Sequence, residues 1–371
     1  MQKPTSKQDM MQIATILGAR PQFIKAAAVS RVFAQQPSIE EVLIHTGQHF
    51  DRNMSEVFFH ELGIQDPHYH LGINGLSHGA MTGRMLEEIE KVLMQLKPKL
   101  VLVYGDTDST LAGALAAAKL NIPIAHVEAG LRAFSQSIPE EVNRVLTDHV
   151  AEILFTPTDH ADQNLIREGI DQSKIFQVGD VMYDATLLFS ALAASKSHVL
   201  KDCTLEPQSY FLATIHRPQN TDTPGSLRLI CTLLESIAKE VSVVWPVHPR
   251  AKKQMMKFGI RMDRVRCIDP VGYLDMIELE RNASLILTDS GGVQKEAYFH
   301  RVPCVTLRPE TEWVELVEQG WNIVLPPSAD IQFMAESILQ RAYIKGNEVQ
   351  LYGSGKAAER IAELLTMKYG D

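Results

Sequence analysis

One alternation runs through this chain: a short, nearly continuous apolar run, a tight turn, then a longer amphipathic stretch. In the first half the runs read as strands over 11–17, 41–46, 100–104, 122–127 and 153–156. Between them, residues 85–95 read as a helix with Met85, Ile89, Val92, Leu93 and Leu96 at helical spacing, and 111–120 as a helix of small residues. Strands that are apolar throughout, alternating with helices, imply parallel sheet covered on both faces. The rhythm restarts with strands over 210–215, 242–247, 265–268, 285–288 and 302–307. A chain of 371 residues is too long for one ordinary core, and each half suffices for one doubly wound α/β domain. The expected division is a first Rossmann-like domain over 11–180 and a second over 181–356, with the boundary near Val181 in an Ala- and Ser-rich helical stretch over 179–201. A last helix is read over 357–367.

Composition narrows the function classes. Hydrophobic residues at 45% and charged residues at 22% are ordinary globular values and exclude a disordered chain. A formal net charge of −9 argues against a nucleic-acid partner, which needs a basic surface. Cys203, Cys231, Cys267 and Cys304 form no CxxC pair and read as reduced, mostly buried thiols. The first ten residues are polar, a leader before the first strand without the apolar segment of a signal peptide. No uncharged apolar run approaches the ~20 residues of a membrane span. The expectation is a cytoplasmic protein without a membrane partner.

In doubly wound sheets ligands bind beyond the carboxyl ends of the strands. After the first strand comes Gly18-Ala19-Arg20-Pro21, with Lys25 one turn on: a helix start bearing two bases, suited to an anion but not a P-loop. After 100–104 comes Gly105-Asp106-Thr107-Asp108-Ser109-Thr110, more acid and hydroxyl than one helix cap needs. Glu128 directly follows an apolar strand, where a carboxylate is costly unless paired or employed. Glu140 and Arg144 follow in Pro139-Glu140-Glu141-Val142-Asn143-Arg144. In the second half His216-Arg217 and His248-Pro249-Arg250 each end a strand. Asp289-Ser290-Gly291-Gly292 ends another, and the helix after it carries Glu296. Two glycines between strand and helix let backbone N–H groups cup a phosphate, and an acid one turn on suits a ribose hydroxyl pair. The tally is a phosphorylated ligand plus acid/base chemistry. No local spacing resembles a metal set, and no GxGxxG supports a nicotinamide cofactor.

In order and spacing these motifs, together with His126-Val127-Glu128-Ala129-Gly130-Leu131-Arg132 and Pro246-Val247-His248-Pro249, resemble the non-hydrolysing UDP-N-acetylglucosamine 2-epimerases over nearly the whole chain. The resemblance implies two Rossmann-like domains facing across a cleft, as in B-type glycosyltransferases, with the last helix, 357–371, packing back on the first domain. It implies a homodimer that interconverts UDP-GlcNAc and UDP-ManNAc for surface polysaccharide precursors, with no metal or other cofactor. The family's functional carboxylates match Asp106, Glu128 and Glu140, and its catalytic-site histidine matches His216. Arg20, Lys25, Arg144, His248, Ser290, Gly291, Gly292 and Glu296 match UDP-sugar-binding positions.

The chain also departs from the common pattern. It reads Thr311-Glu312-Trp313-Val314-Glu315 where typical members have Thr-Glu-Arg-Pro-Glu, and its 72–83 loop lacks a glutamine found in members regulated by a second substrate molecule. These departures are similar to the subgroup acting on UDP-2,3-diacetamido-2,3-dideoxyglucuronate, whose extra C6 carboxylate calls for a cation such as Arg84, Arg217 or Arg308.

Overall fold

The computed structural model describes residues 10–48, 63–134 and 138–370. The polar leader lies outside them except for Met10. Strands β1 (Met11–Leu17), β2 (Ile39–His45), β3 (Tyr69–His70), β4 (Leu100–Tyr104), β5 (Ile124–Val127), β6 (Ile153–Thr156) and β7 (Ile175–Gln177) form one sheet in the order β3-β2-β1-β4-β5-β6-β7. Strands β8 (Tyr210–Thr214), β9 (Ser242–Pro246), β10 (Arg266–Ile268), β11 (Leu285–Thr288), β12 (Cys304–Thr306) and β13 (Asn322–Val324) form a second, in the order β10-β9-β8-β11-β12-β13. Every pairing is parallel. These are two doubly wound α/β sheets, the fold class the alternation implies.

The continuous apolar runs exist because both faces of each sheet are covered. Val101 and Val103 of β4 pack with Met85, Ile89 and Leu93 of helix His78–Leu96 and with Ala112 and Ala116 of helix Asp108–Lys119. In the second sheet Phe211 and Ala213 face one core with Leu227 and Leu234, while Tyr210 and Leu212 face another with Leu279 and Ala297. Each sheet reverses strand order once near its centre, between β1 and β4 and between β8 and β11. Those two reversals are where the geometry opens a crevice at the strand ends.

Contacts divide the chain into residues 1–188 with 350–371, and residues 189–349. The division falls inside helix Val181–Lys196, later than the boundary expected near Val181. The chain returns to the first unit before the last helix begins: the Asp180 amide donates to Tyr352 O at 3.1 Å. Helix Ala357–Tyr369 then packs on helix Arg20–Phe33. Asp184 accepts from the Ala357 and Ala358 amides at 3.1 and 3.2 Å, capping that helix with a carboxylate. Strands β3, β7 and β13 escape the sequence reading because each is a short edge strand without a buried run. The four cysteines are free thiols, Cys231 and Cys304 buried, Cys203 half-buried and Cys267 exposed. No helix among the described residues is long and apolar enough to cross a membrane.

The Asp184 cap carries a pH prediction. Burial pushes its carboxyl up to about 6, against the donated amides. A folded value above the unfolded one favours the fold while the group is protonated, and that contribution is lost as pH rises through about 6. Melting of the wild type and Asp184→Asn is therefore compared from pH 7.5 to 4.5. The wild type should gain on the variant as pH falls; a constant difference refutes the assignment.

Candidate active site

The first unit gathers its charged groups at the β1–β4 reversal. Helix Arg20–Phe33 starts directly after β1, with Pro21 in its first turn. Gln22 stitches the two strand tips together. Its carbonyl accepts the Gly18 and Ala19 amides at 2.8 and 2.9 Å, and its amide donates to Tyr104 O and Thr110 Oγ1, both at 3.0 Å. Arg20 is half-buried at the helix start. Lys25, one turn on, is buried and forms an ion pair with Glu128.

Glu128 leaves the end of β5 with φ +72°, a left-handed backbone that a non-glycine residue adopts at a cost of about 1–3 kcal/mol. That turn aims the carboxylate across at β4. Gly105 ends β4 with φ +62°, and a Cβ there would stand 3.3 Å from Glu128 Oε2 and 3.6 Å from Lys25 Nζ. The glycine therefore does two things: it takes the left-handed turn and leaves room for the buried pair. Asp106 follows. Its side chain pairs with Arg144, and its carbonyl accepts from Asn143 Nδ2 at 2.9 Å.

Arg144, expected on the ligand, engages Asp106 with one arm and Glu141 with the other, at 2.9 Å. Glu141 itself is buried and accepts the Ala133 and Phe134 amides at 2.9 and 2.8 Å, so it organises the loop before helix Pro139–Val150. Glu140 stands exposed in the first turn of that helix. The surplus of hydroxyls after β4 is partly explained by capping: Thr107 accepts the Thr110 amide at 3.2 Å. The structure thus brings together Asp106, Glu128, Lys25 and Arg144, with Glu140 on the helix that carries Arg144.

In the second unit the β8–β11 reversal joins His216 to the loop after β11. His216 Nδ1 lies 3.0 Å from Asp289 Oδ1, and the ring remains 41% exposed, free to meet a ligand while one edge is held. Asp289 is fully buried and accepts the His216 and Arg217 amides, each at 3.0 Å, and Asn220 Nδ2 at 3.0 Å. Burial alone would raise its carboxyl; His216, Asn220 and the Arg217 amide more than offset that and hold it below the usual carboxylate range. Asp289 is thus the orienting group for His216. The sequence displays it in the strand-end motif, but its role appears only with the β8–β11 pairing. The His248 ring centroid is 5.7 Å from that of His216, and His248 also caps helix Pro249–Phe258.

Ser290 is the N-cap of helix Gly291–Phe299. Its amide donates to Thr288 Oγ1 at 2.9 Å and its carbonyl accepts from Gln294 Nε2 at 3.0 Å, which fixes the loop from within. A Cβ on Gly292 would meet no atom within 4 Å, so this helix start faces open space. Glu296 is buried one turn on. Trp313 is 5% exposed; its Nε1 donates to Gly291 O at 2.9 Å, and the Lys295 ammonium lies 4.2 Å from its ring. The indole supports the glycine loop from below. Arg308 pairs with Glu312 at 2.9 Å, while Arg84 is exposed. Among the described residues no group of three His, Cys, Asp or Glu side chains is placed to hold a metal ion.

Comparison with known proteins adds the family context. The family model for UDP-N-acetylglucosamine 2-epimerase matches residues 31–366. The chain is 51% identical to the UDP-2,3-diacetamido-2,3-dideoxy-D-glucuronate 2-epimerase of Pseudomonas aeruginosa, over 96% of this chain and 99% of that protein. It is equally similar, at 51% and the same coverage, to a UDP-N-acetylglucosamine 2-epimerase homolog of Methanococcus maripaludis. Among solved structures, the UDP-GlcNAc 2-epimerase of Methanocaldococcus jannaschii in complex with UDP-GlcNAc and UDP superposes with a TM-score of 0.88 at 44% identity, covering 96% of this chain and all of that one.

Proposed function

Since the chain belongs to the UDP-N-acetylglucosamine 2-epimerase family, we propose that it inverts C2 of a UDP-2-acetamido sugar, interconverting UDP-GlcNAc and UDP-ManNAc. The observation that carries this reading is the Glu128–Lys25 pair beside Gly105-Asp106, an acid/base cluster built at a strand-order reversal with a left-handed Glu128.

The chemistry asks for such a cluster. The C2 proton of an N-acetyl sugar is barely acidic, because no carbonyl is conjugated to it. As the C1–O bond to UDP breaks, oxocarbenium character at C1 acidifies C2–H. A carboxylate takes the proton, the electron pair forms the C1–C2 double bond, and UDP leaves with the bonding pair. The intermediate is a 2-acetamidoglucal. Protonation of C2 from the opposite face and return of UDP to C1 complete the inversion. Two faces require acid/base groups on both sides of the ring, the work assigned to Asp106, Glu128 and Glu140. Lys25 pairs with Glu128 and holds its carboxylate in place, and Arg144 aims Asp106. Departing diphosphate charge is met by His216, held by Asp289, by Arg20, and by the Gly291 and Gly292 amides at the helix start. Glu296 and Ser290 take the ribose and phosphate contacts, with His248 beside His216.

A second reading, the same inversion on UDP-2,3-diacetamido-2,3-dideoxyglucuronate, is favoured by the 51% identity to an enzyme named for that substrate and by the Thr311-Glu312-Trp313 segment. Incubation of the purified protein in D₂O with each donor separates the readings. The epimerase reading expects deuterium at C2 and a C2-inverted UDP-sugar from UDP-GlcNAc without any acceptor. A UDP-GlcNAc turnover thousands of times slower than the acid's moves the assignment to the second donor. Release of free sugar and UDP, or no exchange with either, overturns both. The reading carries a homodimer with it, supported by Val142 and Leu146, four residues apart on one helix and 43% and 44% exposed; sedimentation of the purified protein checks it.

A further inference from the structure

Behind the tips of β4 and β5 lies a charged network that the proton-transfer steps do not use. His126 of β5 is wholly buried and bonded at both ring nitrogens. Nδ1 lies 2.7 Å from Asp148 Oδ1, and Nε2 lies 2.7 Å from Gly105 O. Asp148, also wholly buried, accepts with its other oxygen from the Gly130 amide at 3.1 Å and from Arg132 at 2.7 Å. Arg132 continues to Glu168 with two bonds of 2.7 Å at the half-exposed end of the network. Burial would raise the Asp148 carboxyl, but His126 and Arg132 outweigh it and hold it below the usual carboxylate range.

We propose that the buried His126–Asp148 pair is a positioning element for C2 proton transfer, bracing the three segments that carry the carboxylates. The inference rests on the epimerase reading. The carbonyl that His126 holds belongs to the peptide joining Gly105 to Asp106. Glu128 follows His126 by two residues, and the Gly130 amide held by Asp148 closes the turn that Glu128 begins. Asp148 lies on helix Pro139–Val150, which also carries Glu140 and Arg144. One imidazole–carboxylate contact therefore ties β4, β5 and that helix together. Stability alone does not explain such a pair, since apolar residues of similar volume are often as stable in its place. Fixed geometry does explain it: a misplacement of about 1 Å in a reacting group costs on the order of 10²-fold in rate.

The test uses His126→Gln, which keeps one donor but cannot span both acceptors, and Asp148→Asn, which keeps size and shape but replaces one acceptor oxygen with an amide donor and removes the charge. Read on the folded variants, kcat and C2 deuterium incorporation should fall together by about 10²-fold, while KM and the calorimetric affinity for UDP stay within about threefold. Glu168→Gln, at the outer end, should keep wild-type kcat. If His126→Gln does not fold, Asp148→Asn carries the same expectation. A lowered melting temperature with kcat unchanged shows a merely structural pair and overturns the proposal, as does an equal loss of UDP affinity. A wild type that exchanges no C2 proton defeats the epimerase reading itself; a wild type and variants that exchange equally defeat only the brace.

Discussion

Glu128→Gln is expected to lower epimerisation by about 10²-fold or more, the span a positioned general acid or base contributes. The substitution keeps size and an acceptor for Lys25 while removing basicity. Lys25 and Glu128 side chains are only 10% and 9% exposed, so the variant leaves a buried ammonium without its counter-charge. Breaking a buried pair costs about 3–5 kcal/mol when no acceptor remains, and less here because the amide oxygen stays. Melting must therefore be measured beside turnover. Asp106→Asn and Glu140→Gln supply independent tests, Glu140 being exposed and cheap to change. UDP affinity should hold or tighten in all three, because UDP is anionic and each change removes negative charge. C2 exchange in D₂O reads the chemical step directly. Normal exchange in all three variants would remove the carboxylates from proton transfer.

The sequence disclosed the fold through one property, the burial of both sheet faces. β1, β4, β6 and β11 are legible to the residue because every position in them is apolar or nearly so. The site was legible for a related reason. Charged residues directly after such runs are conspicuous, and Asp106, Glu128, His216 and Asp289 all stand there. The partners were not legible, because pairing across a parallel sheet joins residues far apart in the chain. Lys25 reaches Glu128 across 103 positions, and His216 meets Asp289 across 73. The same holds for His126, which reads as an ordinary apolar-strand residue until Gly105 O and Asp148 are seen on either side of its ring. Arg144 adds to this: its place in the motif implied a ligand contact, and the fold also pairs it with Asp106 and Glu141, which the sequence does not display. Trp313 is a further partner the sequence does not display: its indole Nε1 donates to Gly291 O at 2.9 Å.

Gly292→Val should weaken UDP binding by about 10²-fold, equivalent to about 2.7 kcal/mol. The two glycines of this loop differ in a way that makes one of them a clean probe. A Cβ on Gly291 would come within 2.3 Å of Glu312 Oε1, so substitution there disturbs the Arg308–Glu312 pair and the Trp313 support. A Cβ on Gly292 meets nothing within 4 Å, so the fold itself has no need of a glycine at that position. Nor does its backbone, since Gly292 is not among the glycines with positive φ. What remains is the approach of a ligand to the first turn of helix Gly291–Phe299, where amides without helical partners point outward. Two methyl groups there hold a diphosphate away from those donors. Calorimetry with UDP alone isolates this effect from the sugar and from the carboxylates of the other unit. The variant's melting temperature should stay near the wild type's while the affinity falls. Equal affinity in a folded Gly292→Val would mean that the diphosphate is bound elsewhere, and the assignment of Ser290, Gly291 and Glu296 to UDP would fall with it.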